Sequence, residues 1–232
     1  MASPALPAPS PCRKSRRVRG MRRSYRSPGV AAIFRAMKVP EPGVNLPRRG
    51  GALRAAVGRA LLRLSGWTID PAIPDLPKFV AIAAPHSSNW DFIIGIGLVF
   101  ALRLDIHFIG KAELFRGPLG PIMRGLGGLP VDRSQPQGVV EQTVALFGAH
   151  DKLIVALAPE GTRKPVTKWK SGFHRIALGA GVPIVPGYWD NRRRVVGLGP
   201  PFYPTGDTEA DITQLRAFYA SLPRRDQLPG TT

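Results

Sequence analysis

Short apolar runs recur along the middle of this chain, each separated from the next by a stretch with helical spacing. Phe79-Val80-Ala81-Ile82-Ala83-Ala84, Ile106-His107-Phe108-Ile109-Gly110, Leu129-Pro130-Val131-Asp132, Leu153-Ile154-Val155-Ala156-Leu157 and Pro183-Ile184-Val185-Pro186 read as strands, and Arg194–Leu198 offers one more. Phe92–Leu102, Val139–Phe147, Phe173–Leu178 (closed by Gly179 and Gly181) and residues 208–221 read as helices. Strands alternating with helices predict an α/β fold: a mixed, mostly parallel sheet flanked by helices. Runs that are apolar throughout, such as residues 79–84, suit strands buried on both faces.

In such sheets ligands bind beyond the carboxyl ends of the strands, so the residues that follow each run carry the chemistry. Pro85-His86-Ser87-Ser88-Asn89-Trp90-Asp91 follows the first run. On a continuous helix the step from His86 to Asp91 turns through about 500°, which puts the two on different faces. They can meet only if His86 lies in the turn and Asp91 in the first helical turn. Ser88 and Asp91 form a Ser-x-x-Asp pattern, a capping-box-like start that would place Asp91 there. An aspartate accepting from one imidazole nitrogen leaves the other as a base.

Three further clusters stand at strand ends: Gly110-Lys111-Ala112-Glu113, Gly128-Leu129-Pro130-Val131-Asp132-Arg133 and Pro159-Glu160-Gly161-Thr162-Arg163. Each joins glycine to charged side chains, an arrangement suited to holding an anion. Singly each is weak, because a Lys or Arg after a strand is ordinary.

In this order the four sites resemble the glycerolipid acyltransferase family, whose familiar bacterial members are lysophosphatidic-acid acyltransferases. His86 and Asp91 match its His-x4-Asp block, and Gly127–Arg133 its glycine-to-arginine block. Pro159–Arg163 matches its Pro-Glu-Gly-Thr-Arg block, and Val182–Pro186 its Val-Pro-Ile-Val-Pro block. Pro85, Lys164 and Gly187-Tyr188-Trp189 depart from the usual residues at the edges of these blocks. The resemblance covers about residues 75–190 and implies an acyltransferase domain over residues 51–222.

It also implies a mechanism. His86, oriented by Asp91, takes the proton from an acceptor hydroxyl as that hydroxyl attacks an acyl thioester. Arg133, Arg163 and Lys111 hold the acceptor's phosphate, while Glu160, Gly161 and Thr162 contact its glycerol part. The donor is acyl-CoA or acyl carrier protein, and no cofactor or metal is expected. The partners expected are a lysophospholipid acceptor, the acyl donor and the membrane surface.

Charge and length bound the alternatives. The chain of 232 residues carries a net +18, but residues 1–50 hold twelve Lys/Arg against one acid, Glu41. That Pro-rich block reads as a disordered basic tail, and Met1, Met21 and Met37 are all possible starts. Cys12 is the only cysteine, so a Cys-built zinc site and an internal disulfide are excluded, which suits the cytoplasm. The longest apolar run, Phe92–Leu102, is eleven residues, too short to span a bilayer, and no secretory signal is evident. The expected location is therefore peripheral, on the cytoplasmic face of the cell membrane.

Leu53, Ala56, Val57, Ala60, Leu61 and Leu64 form a helical stripe with Arg54, Arg59 and Arg63 off it. Such a helix either packs on the chain's own core or lies in a lipid headgroup layer. Two other functions would use some of these residues. A His/Asp hydrolase would aim the same dyad at water but leaves the arginines without a role. A nucleic-acid-binding protein would explain the charge, yet the excess sits in the tail and no nucleic-acid motif accompanies it.

Overall fold

The computed structural model describes residues 39–84, 89–125, 127–131, 136–161, 166 and 168–222, all within one unit, Arg35–Thr232. The basic tail up to residue 38 lies outside them. In chain order the elements are α1 (Ala52–Leu64), β1 (Thr68–Ile69), β2 (Lys78–Ala83), α2 (Asn89–Ala101), β3 (Ile106–Lys111), α3 (Gly120–Gly125), β4 (Gly128–Val131), α4 (Pro136–Ala149), β5 (Leu153–Leu157), α5 (Gly172–Ala180), β6 (Ile184–Asp190), β7 (Val195–Leu198) and α6 (Thr208–Ala220). Two 3-10 turns, Ala112–Phe115 and Gly117–Leu119, bridge β3 and α3.

Among the described residues the strands form one seven-stranded sheet in the order β1-β7-β6-β2-β5-β3-β4. β6 pairs antiparallel with β7, and every other neighbouring pair is parallel. The mixed, mostly parallel sheet read from the sequence is the sheet observed. β2 lies at its centre, with Val80–Ala83 paired to Ile184–Gly187 on one side and Lys78–Ile82 to Leu153–Leu157 on the other. Its unbroken apolar run follows from that position: alternate residues feed opposite faces, and both faces are covered. Phe79 and Ala81 pack with Ile94 and Leu98 of α2, whereas Val80 and Ile82 pack with Phe147, Phe173 and Ile176 of α4 and α5. β4 is an edge strand, where Pro130, lacking an N–H, is tolerated. β6 runs on to Asp190, four residues past the expected strand end at Pro186. α5 contains Gly179 and closes only at Gly181.

Packing extends a few residues ahead of Gly51. Leu46 is buried in the α2-side core, and its N–H and that of Asn45 donate to Asp75 Oδ1 at 3.2 and 2.8 Å.

Of the two orientations the sequence left open for α1, the structure turns most of the leucine stripe away from the core. Ala55, Gly58 and Leu62 are the buried positions, while Leu53 and Leu64 are 80% and 84% exposed and Val57 is half-exposed. The small residues explain the choice. A side chain at Gly58 would fall 2.4 Å from the Ala101 nitrogen and 2.7 Å from the Gly97 carbonyl, so α1 and α2 cross with no room between their backbones. Gly97 lies beneath Leu62 in the same way. Contact by small residues therefore outranks contact by the leucine stripe. Arg54, expected among the outward basic flanks, is instead folded over the Phe100 ring at 4.3 Å, and burial with repulsion from Arg49 lowers its pKa. No helix among the described residues is long and apolar enough to cross a membrane.

At the other face α6 is fastened to α5 by a buried pair. His174 is wholly inaccessible and donates through Nε2 to Asp211 Oδ2 at 2.7 Å. Asp211 also accepts from the Thr205 N–H and hydroxyl, each at 2.8 Å. Burial pushes the Asp211 carboxyl up, but these hydrogen bonds outweigh it and hold its pKa below the ordinary value.

Candidate active site

Parallel pairing aligns the carboxyl ends of β2, β3, β4, β5 and β6 along one edge of the sheet. The four clusters nominated for chemistry stand at or just after the ends of β2, β3, β4 and β5, so one topological fact gathers segments as far apart in the chain as those of His86 and Arg163. After β2 the chain passes to α2 on one face, and after the adjacent β5 it passes to α5 on the opposite face. Neighbouring strands whose connections leave in opposite directions form the switch point at which α/β sheets bind ligands.

Asp91 stands in the first turn of α2 and is 8% exposed. A carboxylate there is favoured by the amide dipoles of a 13-residue helix. The first-turn placement argued from Ser88 is therefore the one observed, although Ser88 and His86 lie outside the described residues. Lys111 is the last residue of β3 and pairs through its backbone with Val131 of β4. Arg133, two residues past β4, also lies outside the described residues.

The turn after β5 explains part of the third cluster. Gly161 has φ +62°, a left-handed conformation open to glycine at little cost, and its N–H donates to the Ala158 carbonyl at 3.0 Å. Glu160, half-buried, precedes it in that turn. Thr162 and Arg163 lie outside the described residues. The segment returns at Lys170, whose N–H donates to the Pro159 carbonyl at 2.8 Å. In the second cluster, Gly127 has φ +91°, and a side chain there would fall 2.4 Å from the Ile106 carbonyl. The glycine is what lets the chain enter β4 tight against β3.

The Val182–Pro186 block is different in kind. Its Ile184 and Val185 are fully buried in β6 against β2, so it builds the sheet itself. Beyond it Trp189 leans on α2, close to Gly95. Two features went unread in the sequence. One is the His174–Asp211 pair, whose partners are 37 residues apart with no motif around them. The other is Tyr219, which approaches the end of β2 from α6.

A carboxylate at a helix start after β2 and a glycine turn after the adjacent β5 stand at the switch point of an α/β sheet. The chain belongs to the acyltransferase family, whose model matches residues 72–189, half of its length. It is 24% identical over 198 residues to the 1-acyl-sn-glycerol-3-phosphate acyltransferase of Haemophilus influenzae, covering 76% of this chain and 80% of that protein. The crystal structure of the 1-acyl-sn-glycerophosphate (LPA) acyltransferase PlsC from Thermotoga maritima shares the fold, with a TM-score of 0.50 and 18% identity over 74% of this chain and 80% of that one.

Proposed function

We propose that this acyltransferase moves a fatty acyl group from a thioester donor, acyl-CoA or acyl carrier protein, to the free hydroxyl of a lysophospholipid such as 1-acylglycerol 3-phosphate, in phospholipid synthesis. The observation that carries the reading is the switch point: the chain leaves β2 on one face into the segment bearing His86 and Asp91, and leaves the adjacent β5 on the opposite face into the segment bearing Glu160–Arg163. The match to 1-acyl-sn-glycerol-3-phosphate acyltransferase supports the choice of acceptor.

In this mechanism His86 accepts the acceptor's hydroxyl proton while the oxygen attacks the thioester carbon. The new C–O bond forms, the C–S bond breaks, and the proton passes from His86 to the departing thiolate. Asp91 holds the imidazole and stabilises its charged form. General-base assistance of this kind contributes about 10²–10⁴-fold in rate. Arg133 and Arg163, with Lys111, hold the acceptor phosphate by charge-assisted hydrogen bonds. Glu160, Gly161 and Thr162 line its glycerol portion.

The enzyme works from the membrane surface, at the cytoplasmic face. Leu53, Val57 and Leu64 on α1, with Phe92 (62% exposed) and Trp90 on α2, present apolar groups to the outside. Arg63 is exposed beside them and Arg59 partly so, suited to anionic headgroups. Release of CoA from acyl-CoA on addition of 1-acylglycerol 3-phosphate, with mass-spectrometric detection of the diacyl product, tests the reading. CoA release that needs no acceptor would instead mark a thioesterase.

A further inference from the structure

The hydroxyl of Tyr219 lies where β2 and β6 part, just before the chain enters the Pro85–Asp91 segment. Its O–H is 2.9 Å from the Ile82 carbonyl and 3.0 Å from the Gly187 carbonyl, so one hydrogen is shared between two strands. These carbonyls stand at the last rungs of the β2–β6 ladder, where Ile82 pairs with Pro186 and Ala83 with Gly187. The residue is buried, reaching in from the last turn of α6. Its ring is clamped edge-on by Phe218 at 5.4 Å and by Trp169 at 5.7 Å. Trp169 in turn adjoins Lys170, the residue that closes the Pro159 segment. One side chain thus touches the root of the His86 segment directly and the root of the Glu160–Arg163 segment through Trp169.

We infer that Tyr219 is a positioning residue for acyl transfer: it fixes the end of β2, from which the chain runs on to His86. The inference rests on the function proposed above. Strand ends are the least restrained part of a sheet, because the ladder stops there. A hydroxyl that ties both strands at that point restrains the strand end that precedes the base in the chain. The tie is permanent across the working pH range. Burial pushes the phenol well above its usual pKa, an opposing pull comes from the Ala84 backbone, and the nearby Glu160 carboxylate raises it further, so the hydroxyl keeps its proton.

Tyr219→Phe tests this because it keeps the clamped ring and deletes only the hydroxyl. With acyl-CoA and 1-acylglycerol 3-phosphate, kcat should fall about tenfold or more, since small misplacement of a reacting group has large effects on rate. The acceptor's KM should stay within about twofold, because phosphate contacts are untouched. Hydrogen–deuterium exchange needs no substrate and should quicken in peptides spanning residues 80–91 more than elsewhere in the sheet. Asp211→Asn, at the opposite end of the same helix, is the comparison: assayed well below its melting temperature, it should retain kcat. An unchanged kcat in Tyr219→Phe, or exchange that quickens evenly across the sheet, overturns the inference. Wild-type protein without acyl transfer, but with the local exchange change in Tyr219→Phe, supports the tie at the strand ends and overturns the acyl-transfer reading alone.

Discussion

At the scale of single residues, short-range patterns were legible and long-range pairs were not. The Ser-x-x-Asp spacing located Asp91 in the first helical turn because a helix start is written in consecutive residues. His174 and Asp211 carry no such local signature; only the packing of α6 against α5 brings them together. Their pairing has a consequence for acid stability. The Asp211 pKa is lowered in the folded chain, so its contribution is present above the unfolded aspartate value of about 3.9 and is lost as pH falls through the folded value. Urea midpoints measured from pH 7 down to pH 3 should fall at the acid end, and Asp211→Asn should start lower and show a shallower acid decline. Parallel curves for the two proteins would assign the acid sensitivity to other carboxylates.

At the scale of elements, strands and helices were read within a few residues, whereas periodicity left open which face of α1 meets the core. The stripe Leu53–Leu64 has the spacing of a buried face, and the buried face is instead Ala55, Gly58 and Leu62. Hydrophobic periodicity ranks side chains by their affinity for an apolar surrounding, whereas a close helix crossing selects positions with little side chain. Gly58→Ala should therefore destabilise the protein by about 1–3 kcal/mol, the usual range for overpacking, as read from denaturant unfolding. A neutral or stabilising effect would mean that the crossing is loose. The exposed stripe is the surface that the proposed function turns toward lipid. Leu53→Gln, Val57→Gln and Leu64→Gln together should reduce co-sedimentation with anionic vesicles, and wild-type binding should weaken with salt because Arg59 and Arg63 contribute. Since all three apolar side chains are exposed, folding stability should shift by no more than about 0.5 kcal/mol per site. Unchanged sedimentation would move the membrane contact away from α1.

At the scale of the whole molecule, the segments that the sequence nominated for chemistry stand at strand ends, and the topology shows why those ends share one edge. Parallel strands pointing the same way bring the ends of β2, β3, β4 and β5 together, and the opposite exits from β2 and β5 make a switch point between them. Strand order could not be read from the chain, because parallel neighbours such as β2 and β5 are about 75 residues apart in register. The central claim is that the site at these strand ends performs acyl transfer with His86 as general base. Its most direct measurement is single-turnover CoA release by wild type, His86→Ala and Asp91→Asn, with acyl-CoA and 1-acylglycerol 3-phosphate at saturation and binding of the acceptor measured in parallel. The account predicts that His86→Ala loses about 10²–10⁴-fold in rate while still binding acceptor, and that Asp91→Asn loses less. Wild-type turnover in His86→Ala would contradict it.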